Sequence, residues 1–117
     1  MLSSLKNIIL NNGVKQKFFL SFNRDYKILE LGCGIGRNAR FVKKYFQEIE
    51  YHGIDILQKD KVDAFINFKN INLDENRLPY NTEYFDVIIF THVLEHLNDP
   101  LSLGDEINWV LKNNGRI

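Results

Sequence analysis

The run Lys27-Ile28-Leu29-Glu30-Leu31-Gly32-Cys33-Gly34-Ile35-Gly36 decides how this chain is read. Lys27 to Leu31 is a short, mostly apolar strand that stops at Gly32, and glycines then alternate as far as Gly36. Glycines at alternate positions let the backbone turn sharply and let a ligand approach with no Cβ in the way. Arg37 to Phe46 follows, with Ala39, Val42 and Phe46 on one helical face. Strand, glycine turn and helix in this order open a βαβ unit, and the free N–H groups at the start of the helix face whatever lies beyond the strand. The same turn without a ligand is a strand–helix turn that only needs tight packing, and the glycines alone leave both readings open.

The alternation continues outward. Tyr51-His52-Gly53-Ile54-Asp55 reads as a second strand, Val62, Phe65 and Ile66 as a short helix, and Ile71 and Leu73 as the mark of a third strand. Phe85 to Phe90 is a fourth strand, apolar enough to be buried on both faces. Asp99-Pro100 has the form of an N-cap followed by proline at the first helical position. Leu103, Ile107, Val110 and Leu111 make the apolar stripe of the helix it opens, with Trp109 beside that stripe as a core or helix-packing residue, and Asn113-Asn114-Gly115 ends it. At the other end, Leu2, Leu5, Ile8 and Ile9 recur at helical spacing, Asn11-Asn12-Gly13 interrupts them, and Val14 to Leu20 reads as a second helical piece. The expected architecture is a single domain over 1–117 with an N-terminal helical segment over 1–22. Its fold class is α/β: a Rossmann-like, mostly parallel sheet with helices on both faces in three layers, incomplete at the C-terminal side.

Composition narrows the function classes. The 117 residues carry 15 Lys+Arg and 15 Asp+Glu, a formal net charge of zero, which is no electrostatic footprint for a nucleic acid. A hydrophobic share of 44% rules out a disordered chain. One cysteine cannot form an internal disulfide. The start shows no basic region leading into a long apolar stretch, and Val87 to Phe90 falls far short of the ~20 apolar residues of a membrane span. The expected location is the cytoplasm, with no membrane and no nucleic acid among the partners.

In such sheets ligands bind beyond the carboxyl ends of the strands. A dinucleotide fingerprint needs its third glycine at the sixth position, where this chain has Arg37, so a ligand without a pyrophosphate fits better. Asp55 lies roughly 20 residues beyond the glycines, where an acid accepts from ribose hydroxyls; a solvated turn aspartate is the plain alternative. Asp74-Glu75-Asn76, followed by Leu78-Pro79-Tyr80, places an acid where it could accept from an exocyclic amine such as that of adenine, or merely face solvent in a loop. Thr91-His92-Val93-Leu94-Glu95-His96-Leu97 sets two histidines four apart beside a glutamate, but not in the His-Glu-x-x-His order of a zinc helix, so no metal site is read.

Taken together, these positions resemble the ordered motifs of class I S-adenosylmethionine-dependent methyltransferases. Ile28–Val42 resembles their first motif, Tyr51–Ile56 their second-strand acidic motif, and Asp74 to Tyr80 their adenine-contacting segment. Phe85–Pro100 is similar to the fourth-strand motif of the small-molecule branch that includes quinone-biosynthesis methyltransferases. Leu111 to Ile117 resembles the turn into the fifth strand, with two asparagines where that turn usually has Pro and Gly, so the chain is expected to stop as the fifth of seven strands begins.

The resemblance implies S-adenosylmethionine as cofactor and a small molecule as methyl acceptor. It implies that the loop carrying Gly32, Cys33, Gly34 and Gly36 lies along the methionine and ribose parts, with Glu30 near the amino group and Arg37 within reach of the carboxylate. Asp55 would take the ribose hydroxyls and Ile56 would pack on adenine. Asp74 would accept from the adenine amine, helped by the backbone of Glu75, and Thr91 and His92 would lie beside the methionine end. Cys33 is expected to be a small packing residue. The catalytic residues stay unassigned; His92 and His96 are the candidates for a general base, because histidine titrates near neutrality, and a structural role in the turn after the strand is the alternative. The competing reading of the whole chain is a non-catalytic remnant or subunit that binds the cofactor and needs a partner to complete the fold. With only Arg116 and Ile117 of a fifth strand, the fourth would keep a bare apolar edge, and self-association through that edge is expected.

Overall fold

Ile28, Leu29 and Leu31 are completely buried, as are Val87 and Ile88, so two neighbouring strands lose both faces to the interior. Such strands belong to the middle of a parallel sheet. The computed structural model describes residues 19–56, 59–90 and 97–116. In it β1 (Lys27–Leu31), β2 (Glu50–Asp55), β3 (Asn67–Asn70), β4 (Phe85–Phe90) and β5 (Leu111–Arg116) form one sheet in the order β3-β2-β1-β4-β5. Each pairing is parallel: Leu29 sits opposite His52 on one side and Ile88 on the other, and His52 in turn sits opposite Asn67. Helix α1 (Arg37–Tyr45) connects β1 to β2, and helix α2 (Pro100–Val110) precedes β5.

The two helices cover opposite faces. Ala39 and Val42 of α1 share a core with Ile28, Tyr51, Val87 and Ile89, joined by Phe19 and Phe22. Leu103, Ile107 and Val110 of α2 share the other core with Leu29, Leu31, Ile54, Ile88 and Phe90. The period-2 alternation of the strands sends odd and even positions of β1 to different helices. Asp99 caps α2, its Oδ1 accepting from the Ser102 N–H at 3.2 Å with proline in the first turn, as the sequence predicts. Lys43 and Lys44 close the last turn of α1, where cations complement the helix dipole. No helix among the described residues is long and apolar enough to cross a membrane.

Several expectations are corrected. The third strand is Asn67–Asn70, ahead of Ile71 and Leu73; the Ile71 N–H makes the last bond to β2, at the Asp55 carbonyl at 3.2 Å, and both side chains pack half-buried as the chain turns away. That strand is an edge, so it did not need the apolar pair that marked it. The segment around Val62 to Ile66 is no α-helix. A 3-10 turn, Lys59–Lys61, leads into an irregular stretch in which Val62 and Ile66 are buried. Trp109 is 64% exposed and lies outside the core. Helix α2 ends at Val110, and Leu111–Arg116 is strand rather than helix end and turn. The fifth strand is therefore longer than Arg116 and Ile117, and the edge of β4 is not bare: Phe85 pairs with Leu111 and Val87 with Arg116, across a register shift. Asp86 holds the three strands together, one oxygen accepting from the Lys27 N–H of β1 at 2.8 Å and the other pairing with Lys112 of β5 at 3.0 Å. The N-terminal helical segment falls largely outside the described residues; from its end, Phe19 and Phe22 are buried against the α1 face.

Candidate functional site

At the carboxyl end of β1 the chain does not leave the sheet at once. The N–H groups of Gly32 and Cys33 both reach the Ile54 carbonyl, at 2.7 and 3.1 Å, so the glycine loop stays fastened to β2. The Gly36 N–H then closes a turn on the Cys33 carbonyl at 3.2 Å, and α1 begins with Gly36 in the left-handed region at φ 111° and no side-chain cap. The loop thus lies across the ends of β1 and β2 with the amino end of a nine-residue helix behind it.

Asp55 ends β2 and faces this loop. One carboxyl oxygen accepts from the Gly34 N–H at 2.8 Å and the other from the Ile56 N–H at 2.7 Å. Ile56 is 72% exposed, a large aliphatic side chain left in the open beside a half-buried carboxylate. The Asn70 side chain reaches the Ile56 carbonyl at 3.4 Å, which brings the exit of β3 to the same corner.

The glycines separate by what surrounds them. A Cβ on Gly36 would meet Ile66 at 2.8 Å and Asp63 at 3.1 Å, and one on Gly53 would meet Cys33 Sγ at 2.6 Å. Packing of the protein on itself accounts for both. A Cβ on Gly34, at φ 58°, would meet none of the described residues within 4 Å. Gly34 therefore lines open space at the strand ends, next to the Asp55 carboxylate and the exposed face of Ile56. An apolar ledge, an acceptor pair and a bare backbone suit a ligand that carries both hydroxyl groups and a flat apolar part.

Glu30 is 2% exposed and held from two sides: Tyr51 donates to Oε1 at 2.6 Å and Asn38 to Oε2 at 2.8 Å. Burial and the Glu30 charge push the Tyr51 phenol well above its ordinary value, so it stays a donor. Neither Tyr51 nor Asn38 was singled out in the sequence, although a tyrosine in an otherwise apolar strand must find a partner for its hydroxyl. Tyr51→Phe should cost about 1–3 kcal/mol of folding stability, because a buried carboxyl loses a donor while the ring still packs. A denaturant titration of both proteins checks it. Cys33 is buried, its thiol pushed up to about 12 by burial and by the charges of Glu30 and Asp55, which keeps it a neutral packing group.

The remaining positions are spread along the same end of the sheet. Asp74 is exposed and its Oδ1 accepts from the Asn98 N–H at 2.8 Å, tying the loop after β3 to the entry of α2. Glu75 is exposed, its N–H closing a turn on the Asn72 carbonyl at 3.1 Å. Arg37 is exposed at the first position of α1. Thr91, His92 and His96 lie outside the described residues. His52, not singled out as a candidate, is engaged elsewhere: its Nε2 lies 2.7 Å from Glu50 and its ring is ringed edge-on by Tyr80, Tyr84 and Phe85.

A family described as "Methyltransferase domain" matches residues 29–117. Among curated proteins, an uncharacterized protein of Methanocaldococcus jannaschii is 28% identical over 94 residues, which cover 80% of this chain and 40% of that protein. A mitochondrial protein of Rattus norvegicus named arginine-hydroxylase NDUFAF5 is 32% identical over 99 residues, covering 79% of this chain and 28% of that one. The chain thus spans well under half the length of these relatives. Among solved structures, an S-adenosylmethionine dependent methyltransferase from Mesorhizobium loti matches with a TM-score of 0.68 at 23% identity, over 84% of this chain and 47% of that one, a likeness of fold.

Proposed function

We propose a function from one premise: the chain belongs to the class I S-adenosylmethionine-dependent methyltransferase family. On that premise the cofactor is S-adenosylmethionine, and the activity we infer is transfer of its methyl group to a small-molecule acceptor. The observation that carries the reading is the open space over Gly34, bordered by Asp55 and by the exposed Ile56.

The cofactor supplies a methyl group on a sulfonium, an activated donor with a neutral leaving group. What the chain must add is position. Gly32, Cys33, Gly34 and Gly36 provide a backbone surface along the methionine and ribose parts. Asp55 accepts from the ribose hydroxyls, and its bond to the Gly34 N–H sets the loop before the ligand arrives. Ile56 packs on the adenine, with Asp74 and the Glu75 backbone at its amine. Glu30 and Arg37 serve the amino-acid end, together with Thr91 and His92. Alignment of this kind is worth up to about 7–11 kcal/mol of barrier in favourable cases. A protonated nucleophile would need a base besides, for a further ~10²–10⁴-fold, and His92 and His96 are the candidates.

A small-molecule acceptor is supported by the neutral charge balance and by the likeness of His92-Val93-Leu94-Glu95-His96 to the branch that includes quinone-biosynthesis methyltransferases. The relative named as an arginine hydroxylase favours a second reading, in which the group acted on is an arginine.

Calorimetry with S-adenosylmethionine, with its demethylated product and with NAD tests the cofactor. The first two should bind and NAD much more weakly. Asp55→Ala should weaken binding by about 3 kcal/mol, at roughly 1.5 for each of two hydrogen bonds lost to a charged acceptor. An unchanged affinity would remove Asp55 from the ribose. A methyl-transfer screen over small acceptors and arginine peptides then separates the two readings. Binding with no transfer to either would make the chain a cofactor-binding unit.

A further inference from the structure

The stretch after β2 does something its sequence did not announce. In place of a helix lying on the sheet, residues 59–66 fold back over the glycine loop. Val62 and Ile66 are buried in the α1-side core and hold the segment down. Between them, the Asp63 N–H donates to the Ile35 carbonyl at 3.2 Å, a direct bond to the loop itself. The Ile66 N–H closes on the Asp63 carbonyl at 3.1 Å, so the turn is rigid on both sides of Asp63. The Asp63 carboxylate rests where a Cβ on Gly36 would come within 3.1 Å of it, and it accepts from Arg40 Nε, one turn into α1. Helix α1 has no side-chain cap and no acid in its first turn. Asp63 brings a negative charge to that helix end from another segment, where the dipole favours it.

We infer that Asp63, held by Arg40, is a positioning residue that locks the Gly32–Gly36 loop in the form that receives the cofactor. The inference rests on the reading of that loop as the cofactor site. Both side chains are partly exposed, 53% for Arg40 and 31% for Asp63, and an exposed ion pair contributes little to global stability. The effect of the pair is therefore local. Gly34 is held by the Asp55 carboxylate and Ile35 by the Asp63 N–H, while the Asp63 carboxylate, fixed by Arg40, lies beside Gly36. The methyl group is transferred elsewhere, so the pair sets affinity for the cofactor and not the rate once it is bound.

The test compares wild type, Asp63→Ala, Arg40→Ala, the double variant and Arg40→Lys. Binding of S-adenosylmethionine and of its demethylated product is measured by calorimetry, and amide hydrogen exchange is followed over residues 32–36 in the ligand-free proteins. Each single alanine variant should bind about two- to fivefold more weakly, the scale of a partly exposed ion pair. The double variant should be no weaker than either, because the two residues act as one unit. Arg40→Lys, which keeps the charge, should recover part of the affinity. Exchange in the loop should speed up in both alanine variants, with the thermal midpoint little changed. A purely structural pair would lower the midpoint and leave the affinity alone, and that result overturns the inference. So does unchanged loop exchange, which is decisive even where no ligand binds. Failure of wild type to bind would instead overturn the cofactor reading.

Discussion

Gly34→Asn should abolish cofactor binding while the protein stays folded. Asparagine is chosen because it tolerates the left-handed backbone that φ 58° requires, where a β-branched residue would add strain of its own. Among the described residues there is no obstacle to the new side chain, since none lies within 4 Å of a Cβ at this position. The obstacle expected is the ligand. The side chain would project into the space beside Asp55, where the ribose and methionine parts are placed. A loss of at least about 100-fold is expected, or ~2.7 kcal/mol at 1.4 per tenfold. Calorimetry reads the affinity, and circular dichroism with a thermal melt shows whether the fold survives. A folded variant that still binds at wild-type affinity would make the loop a packing turn and nothing more.

Gly53→Val acts on the other side of the same loop and should give the largest loss of stability. A Cβ on Gly53 would sit 2.6 Å from Cys33 Sγ, 2.9 Å from Cys33 Cβ and 3.1 Å from an Ile66 methyl. These atoms have little room to yield. Cys33 is fastened through its N–H to the Ile54 carbonyl, and Ile66 is buried in the core at the end of the segment that crosses the loop. Overpacking of this kind costs typically ~1–3 kcal/mol, and valine adds two methyls to the clash, so at least about 3 kcal/mol is expected. Against the ~5–15 kcal/mol of an ordinary domain, that is a large share. A denaturant titration measures it. The mechanism has its own check in a double-mutant cycle. Cys33→Ala removes the closest atom, so Gly53→Ala should cost less in the Cys33→Ala background than in wild type. Additive costs would show that the glycine is needed for another reason.

The core of the βαβ reading was legible because burial on both faces leaves a sequence little choice. Lys27 to Leu31 and Phe85 to Phe90 are mostly apolar, and each is a strand at the stated residues. The cap of α2 was legible for a local reason, since Asp99 and Pro100 act within one turn. The edge strands were not. Asn67-Phe68-Lys69-Asn70 has one face and one edge in solvent, so it carries no apolar signature, while Ile71 and Leu73 just beyond it do. Leu111–Arg116 reads as a helix end because asparagine and glycine tolerate that role. It is a strand because β4 presents an edge to pair with and Asp86 takes Lys112. Trp109 was misplaced because position along a helix says which side faces in only to within the width of its apolar stripe.

The same division runs through the site. The sequence by itself determined the α/β class and the family, because glycine spacing after the first strand and an aspartate at the end of the second are local patterns with few other uses in this order. Only the tertiary structure decided that Gly53 must be bare to seat Cys33, that Tyr51 and Asn38 hold Glu30, and that Asp63 closes over the loop through Ile35 and Arg40. Each of these joins residues that different strands and turns bring together, and a contact across a sheet leaves no periodicity in the chain that makes it.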